Sequence, residues 1–198
     1  MTDDPSSTAY LEGDADINLV SGELIFGLIA PVGTDVDCVR EALSGALVTA
    51  GFQQINYRLS EIFIALGMDI DTSTEYSRIR SSMDAGDLLR KKTRSPEIMA
   101  RQAVYAIARD RKLNANGDPY PRCAHILRSL KRPEEVLYLR ELYGPRFFLL
   151  SITSSQEERV ALLQRSGMPD AEATALGQGD AGDGAEHGQA TRDAFERA

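Results

Sequence analysis

The sequence has no tryptophan and only two cysteines and two histidines among its 198 residues. Cys38 and Cys123 can form at most one disulfide, which is too few to stabilise a fold of this size. This excludes a disulfide scaffold and favours a reducing, cytoplasmic location. No apolar run reaches the roughly 18 to 20 residues of a membrane-spanning helix, and the acidic amino-terminal segment lacks the basic start of a signal peptide. We therefore expect a cytoplasmic protein with no membrane partner. The remaining composition, 42% hydrophobic and 26% charged, is typical of a globular domain.

Acidic residues are concentrated at the two ends of the sequence. Residues 1–20 carry five acids and no base, and residues 170–198 carry seven acids against two bases. Between these ends, residues 78–146 hold sixteen Lys or Arg against eight Asp or Glu. Such a basic stretch either attracts phosphates or forms a solvated helix face.

Apolar runs alternate with helical periodicity through the middle of the sequence. Strands are predicted at Glu23–Ala30, Phe52–Leu59, Cys123–Leu127 and Arg146–Ile152. Helices are predicted to begin near residues 36, 60, 74, 95, 133 and 155, with Ser155 and Glu158 forming a capping box. This alternation predicts a three-layer α/β/α fold with a mainly parallel sheet.

The domain organisation follows from composition. Residues 1–22 are predicted to be a disordered acidic leader, 23–168 the folded domain, and 169–198 a flexible Gly/Ala/Asp-rich connector that ends in a short helix. In open parallel sheets, ligands bind beyond the carboxyl ends of the strands. The loops at 30–37, 59–62, 128–133 and 152–155 are therefore the candidate binding loops.

The turn after the first strand has the context of a phosphate-binding loop but not its residues. The four defining positions of G-x-x-x-x-G-K-[ST] are occupied by Ala30, Asp35, Val36 and Asp37. The loop therefore lacks the ammonium that grips phosphates, and its two carboxylates repel them. Asp35 and Asp37 either hold a metal ion or cap the following helix. Pro31, Gly33 and Thr34 keep a tight turn whose Gly33 and Thr34 amides are predicted to line phosphates.

Other candidate nucleotide contacts lie further along the sequence. Ser60 and Glu61 follow the second strand, where a base or sugar can be met. Arg80, Arg90 and Arg94 either supply charge-assisted hydrogen bonds to phosphates or form a solvated helix face. Cys123 and His125 are interpreted as core or strand-face residues.

The segment after the third strand also departs from the kinase pattern. In small-molecule kinases it resembles an apolar strand followed by Asp, and here Arg128 occupies that position. Mg²⁺ coordination of the usual kind needs this carboxylate and a Ser or Thr at position 37, so it fails twice. We therefore expect no metal site and no phosphoryl transfer, and we predict that Arg128 contacts the nucleotide instead.

Several segments share one pattern, namely Ile25–Asp37, Tyr57–Glu61, Met83–Lys91, Ile126–Val136 and Leu139–Leu150. Together they resemble the amino-terminal, P-loop-kinase-like domain of the bacterial anti-phage deoxycytidine nucleotide (dCTP/dCMP) deaminases. In that family a zinc deaminase domain follows, and the whole enzyme depletes dCTP or dCMP during infection. The resemblance covers about residues 23–167, and 187–195 also resemble the family's approach to its last strand.

A zinc deaminase cannot be built from this chain. The zinc site needs H-x-E and P-C-x-x-C, but neither His125 nor His187 is followed by x-Glu, and the two cysteines lie far apart. Zinc is therefore expected only in the deaminase domain of the parent protein. The chain is then either a truncated piece or a stand-alone derivative.

The resemblance implies a regulatory domain with a degenerate phosphate loop and a P-loop NTPase or nucleotide-kinase-like fold. Its expected ligand is a dNTP or NTP, with or without Mg²⁺, and no catalysis is expected from this chain alone. One alternative is a non-catalytic module for oligomer assembly or for recognition of a protein or RNA inhibitor. Another is an atypical nucleoside or nucleotide kinase. A homo-oligomer is also expected.

Overall fold

The computed structural model describes residues 22–111, 122–179 and 194. Its strands are β1 (Glu23–Ile29), β2 (Gln53–Arg58), β3 (Cys123–Leu130) and β4 (Phe147–Ser151). Its helices are α1 (Val36–Thr49), α2 (Glu61–Ala65), α3 (Glu75–Thr93), α4 (Ile98–Asp110), α5 (Pro133–Tyr143), α6 (Gln156–Arg165) and α7 (Asp170–Gly179). A short 3₁₀ turn, Gly144–Arg146, leads into β4.

The four strands form one parallel sheet in the order β2-β3-β1-β4. At the centre of the sheet, Ile25 of β1 lies between His125 of β3 and Phe147 of β4. Because parallel neighbours need crossover connections, each strand is reached through at least one helix. The carboxyl ends of β1, β2 and β3 therefore lie side by side at one edge of the sheet.

Helices cover both faces of this sheet. Ile25 and Ile29 belong to a buried cluster with residues of α4 and α5, such as Ile107 and Leu139. Leu28 belongs to a second cluster, with Leu47 of α1. Since alternate side chains of a strand point to opposite faces, the two clusters lie on opposite sides of the sheet. The predicted three-layer α/β/α fold with a parallel sheet is confirmed.

The helix starts follow local capping chemistry. The Ser155 hydroxyl accepts a hydrogen bond from the Glu158 amide at 3.2 Å, and the Glu158 carboxylate accepts one from the Ser155 amide at 2.9 Å. The Thr74 hydroxyl accepts a hydrogen bond from the Ser77 amide at 3.0 Å. Both predicted helix starts are confirmed, because these short polar side chains satisfy amides that have no partner inside the helix.

The segment after Pro169 differs from the prediction. We expected a flexible connector there, but residues 170–179 form α7. Ala173 and Leu176 lie one turn apart and are buried against Leu163 and Met168 in a third apolar cluster. The helix was not predicted because its apolar stripe is narrow and lies in a segment rich in glycine and alanine.

Some predictions fall on parts of the chain outside the described residues. These are the leader to residue 21 and most of 180–198, where Ala194 alone is described as helical and buried. Among the described helices, none is both long enough and apolar enough to cross a membrane.

Candidate functional site

A cavity of about 580 Å³ opens beyond the carboxyl ends of β1, β2 and β3. Parallel sheets bind ligands at this edge, and the volume lies in the usual range of ligand sites. The predicted site residues that line it are Pro31, Gly33, Thr34, Asp35, Asp37, Ser60, Arg90 and Arg128. Glu61, Arg80 and Arg94 are not among the lining residues. The structure thus brings most of the predicted residues together, and their contact with a nucleotide remains a prediction.

The turn between β1 and α1 is held tightly against α6. Gly33 has a φ of +84°, and a Cβ atom there would lie 2.7 Å from the carbonyl oxygen of Arg159. Both the backbone conformation and the close approach therefore require glycine. The Thr34 hydroxyl also lies 3.3 Å from that of Ser154, in the fourth candidate loop.

The amides of this turn are partly used within it. The Thr34 amide donates to the Pro31 carbonyl at 3.2 Å, and the Val36 amide donates to the Thr34 carbonyl at 2.9 Å. We expected the Thr34 amide to line phosphates, but in this conformation it already has an acceptor. An anion bound here must therefore depend on other donors.

Asp35 and Asp37 have different roles. Asp35 caps α1, because its carboxylate accepts a hydrogen bond from the Cys38 amide at 3.1 Å. The Asp37 carboxylate accepts hydrogen bonds from the guanidinium groups of Arg40 and Arg128, each at 3.0 Å. Burial alone would raise the pKa of Asp37, but the two arginines outweigh it and hold the pKa below its ordinary value. Capping is therefore confirmed for Asp35, and Asp37 is an ion-pair partner.

The structure offers no cluster that supports the metal interpretation of these two acids. Within residues 22–111 and 122–179, no group of three or more His, Cys, Asp or Glu side chains is placed to hold a metal ion. The position that resembles the metal-binding Asp of kinases is occupied by Arg128, which pairs with Asp37.

A cation reaches the turn from a neighbouring strand. The Lys131 ammonium donates to the carbonyl of Ala30, at the end of β1, at 2.7 Å. Lys131 follows β3, and its amide donates to the buried carboxylate of Glu135 at 2.8 Å. The phosphate-loop motif predicts this cation only inside the turn, so Lys131 was not among the predicted site residues. Its signal was a lysine in the 128–133 loop, which had already been selected as a candidate binding loop.

A β-bulge shapes the end of β3. Leu28 pairs with Arg128 and Ile29 with Leu130, so Ser129 is left over, with a φ of +74°. A left-handed conformation at a residue other than glycine costs about 1–2 kcal/mol. The extra residue lets Leu130 return to the same apolar cluster as Leu127. Bulges often occur beside functional sites, where they redirect side chains.

Arg90 lines the cavity but is held by carboxylates. Its guanidinium donates to Asp87 at 3.1 Å and to Glu135 at 3.0 Å. Glu135 is 1% exposed and also accepts the amide of Arg132, near the start of α5. Arg90 and Glu135 therefore join α3 to the loop that carries Lys131.

Three further cavity cations were missed by the sequence analysis. They are Arg58 at the end of β2, Arg78 on α3 and Arg165 at the end of α6. Arg78 forms a salt bridge with Glu75, whereas Arg58 and Arg165 make no hydrogen bond or salt bridge with any described residue. The signal for Arg58 was its place at the end of a predicted strand, directly before the selected loop.

Apolar side chains form another part of the cavity wall. They are Phe63, Ile79, Met83, Met99 and Leu162. A cavity that combines several cations with an apolar wall suits a ligand with a charged end and a flat or apolar end.

A buried polar cluster lies at the opposite, amino-terminal end of the sheet. His125 is fully buried, with Nε2 2.9 Å from the Glu23 carboxylate and Nδ1 3.3 Å from the Tyr57 hydroxyl. Arg111 donates two hydrogen bonds to Glu23, at 3.2 and 3.0 Å. Burial alone would lower the pKa of His125, but its contacts with Cys123 and Glu23 raise it to about 8. The prediction that His125 and Cys123 are core residues is confirmed.

No protein-family model and no curated protein matches this sequence. A similar solved structure comes from Silicibacter sp. TM1040 and is provisionally described as a fructose transport system kinase. It is 13% identical, with a TM-score of 0.42, and the match covers 98% of this chain and 91% of the other. A likeness this distant decides nothing about activity, and the fold class rests on the strand order and the layers.

Proposed function

We propose that the cavity binds a nucleotide without a metal ion. We further propose that the chain is the degenerate, regulatory P-loop domain of an anti-phage deoxycytidine nucleotide deaminase. The observation that carries the first proposal is the 3.0 Å ion pair between Asp37 and Arg128, which uses the two positions where kinases hold Mg²⁺. A metal ion at the Asp37 carboxylate would have to compete with the guanidinium groups of Arg40 and Arg128.

The charges around the cavity support an anionic ligand. Its cations are Arg58, Arg78, Arg90, Arg128, Lys131 and Arg165, and its carboxylates are Asp35, Asp37, Glu75 and Asp87. The lining therefore has two positive charges in excess. In a recessed site such an excess attracts phosphate groups, and guanidinium groups give them strong, directed hydrogen bonds.

The deaminase part of the proposal rests on the sequence segments that resemble the family. Two of them, Ile25–Asp37 and Ile126–Val136, supply the turn, Arg128 and Lys131 to the cavity. A domain that binds a nucleotide without transferring its phosphate suits the sensing of the nucleotide pool. The proposed partners are a zinc deaminase domain in the parent protein and other copies of the chain.

An interaction module is the second candidate function. Phe148 is 45% exposed on β4, the last strand of the described sheet, and stacks on Phe26 with ring centres 5.2 Å apart. An exposed aromatic residue on an edge strand favours contact with another protein.

A thermal-shift series with dNTPs and NTPs, in Mg²⁺ and in EDTA, tests the proposed function. A ligand that binds only the folded protein at 100 times its Kd adds about 2.7 kcal/mol to the free energy of unfolding. We expect at least one nucleotide to raise Tm equally in Mg²⁺ and in EDTA, without hydrolysis. A shift that requires Mg²⁺, or turnover of ATP, would contradict metal-free binding. No shift with any nucleotide would favour the interaction module.

A further inference from the structure

Two arginines lie side by side where β2 and β3 end. Arg58 and Arg128 are register partners on these adjacent parallel strands, so their side chains leave the same face of the sheet. Like charges on neighbouring strands repel each other unless an anion lies close to them. Arg128 has Asp37 as its counter-ion, whereas Arg58 forms no salt bridge with a described residue. The pKa of Glu75 is lowered by its contact with Arg78 and also by the charge of Arg58.

Lys131 extends this pair toward β1. Its ammonium lies on the carbonyl of Ala30, which is the first position of the degenerate loop. Arg58, Arg128 and Lys131 thus place three cations along the ends of β2, β3 and β1, all in the lining of one cavity.

The turn itself is a poor anion site in this conformation. The Thr34 and Val36 amides have acceptors inside the turn, and the Asp35 carboxylate lies at the start of α1. Positive charge for an anion here therefore has to come from side chains, among them those at the strand ends.

We propose that Arg58, Arg128 and Lys131 form a metal-free site for the phosphate group of the ligand. This site takes over the roles of the missing loop lysine and of Mg²⁺. The two guanidinium groups provide directed donors to phosphate oxygens, and the ammonium provides a compact charge beside the turn. The inference rests on the proposed function, because it assigns the phosphate end of the proposed nucleotide.

Calorimetric titrations in EDTA test the site, with inorganic pyrophosphate and with the nucleotide that gives the largest thermal shift as ligands. The variants are Arg58→Gln and Lys131→Met, and Arg140→Gln is the control. Arg140 is exposed on α5 and does not line the cavity, so its substitution removes the same charge elsewhere. We expect each test variant to lose about tenfold to a hundredfold in affinity for both ligands, as is usual for a charged hydrogen bond. The control should stay within about twofold of the wild type.

The outcomes separate this inference from the proposed function. If the wild type binds a nucleotide and both test variants bind it equally well, the phosphate site is wrong and the proposed function stands. Pyrophosphate binding that the variants lose, without any nucleotide binding, supports the site and overturns the nucleotide function. A wild-type protein that binds neither ligand overturns both. Because Arg58 makes no hydrogen bond or salt bridge with the described residues, Arg58→Gln should also keep the unliganded Tm, which excludes unfolding as the cause of lost binding.

Discussion

The substitution Gly33→Ala tests the packing of the degenerate turn. Alanine at a φ of +84° costs about 1–2 kcal/mol, because its Cβ approaches the backbone carbonyl of its own residue in the left-handed region. The new Cβ would also lie 2.7 Å from the carbonyl oxygen of Arg159. That atom belongs to the backbone of α6 and cannot rotate away, so the overlap adds about 1–3 kcal/mol. Gly33→Ala should therefore destabilise the protein by about 2–5 kcal/mol.

Thermal denaturation followed by circular dichroism measures this effect. For a domain of this size, each kcal/mol lowers Tm by about 2–4 °C, so we expect a loss of about 4–20 °C. Gly45→Ala is the matched control. Gly45 is exposed inside α1, and a Cβ atom there meets nothing within 4 Å. The same chemical change should stabilise α1 by about 0.5–1 kcal/mol, because alanine has the higher helix propensity.

The two alanine substitutions are expected to change Tm in opposite directions, which makes the test strict. If Gly33→Ala has the wild-type Tm, then the turn is not held against α6, and the account of the cavity wall at Gly33 is wrong. If Gly45→Ala loses as much stability as Gly33→Ala, the loss does not come from the left-handed conformation and close contact, because Gly45 has neither.

Two further predictions concern buried charges. The pKa of His125 rises from 6.5 to about 8 on folding, so its protonated form stabilises the protein fully below pH 6.5 and this contribution is lost as pH rises through 8. In urea denaturation, the free energy of unfolding should therefore fall by about 2 kcal/mol across this pH window. The same pH dependence in His125→Gln would contradict the assignment to His125. Glu135→Ala should lower the free energy of unfolding by about 3–5 kcal/mol in urea denaturation. The substitution removes the buried partner of the Arg90 guanidinium and the acceptor of the Lys131 and Arg132 amides. Its neighbour Glu134, 38% exposed, should cost less than about 1 kcal/mol when changed to alanine, and equal losses would refute this account of Glu135.

Local patterns were sufficient to predict most of the secondary structure. The apolar run of β1 and the capping residues Thr74 and Ser155 act through neighbours close in sequence, so the sequence alone reveals them. The helix at 170–179 was missed because its stability comes from packing of Leu176 on Leu163 rather than from helix propensity. Propensity scales penalise a glycine-rich segment, although a narrow apolar stripe is enough when another helix covers it.

The sequence predicted which loops form the candidate site, but not which side chains and strands lie next to each other in it. The position of a loop follows from the end of a strand, and this placed Gly33, Ser60 and Arg128 correctly in the cavity lining. The contact of Lys131 with Ala30 depends on β3 lying beside β1, and the pairing of Arg58 with Arg128 depends on β2 lying beside β3. Strand order is a long-range property, and no motif in the sequence encodes it.

Two departures from the kinase pattern act as one electrostatic change. An acid at position 37 alone would keep Arg40 as a partner but would lack the counter-ion Arg128. A base at position 128 alone would lie beside Arg58 without the Asp37 carboxylate. Together they form a 3.0 Å ion pair that lowers the pKa of Asp37 against the effect of burial. A metal ion at Asp37 competes with Arg128 for the carboxylate, whereas a phosphate can approach Arg58 and Lys131 without breaking the pair. This asymmetry is the physical reason to expect equal nucleotide binding in Mg²⁺ and in EDTA.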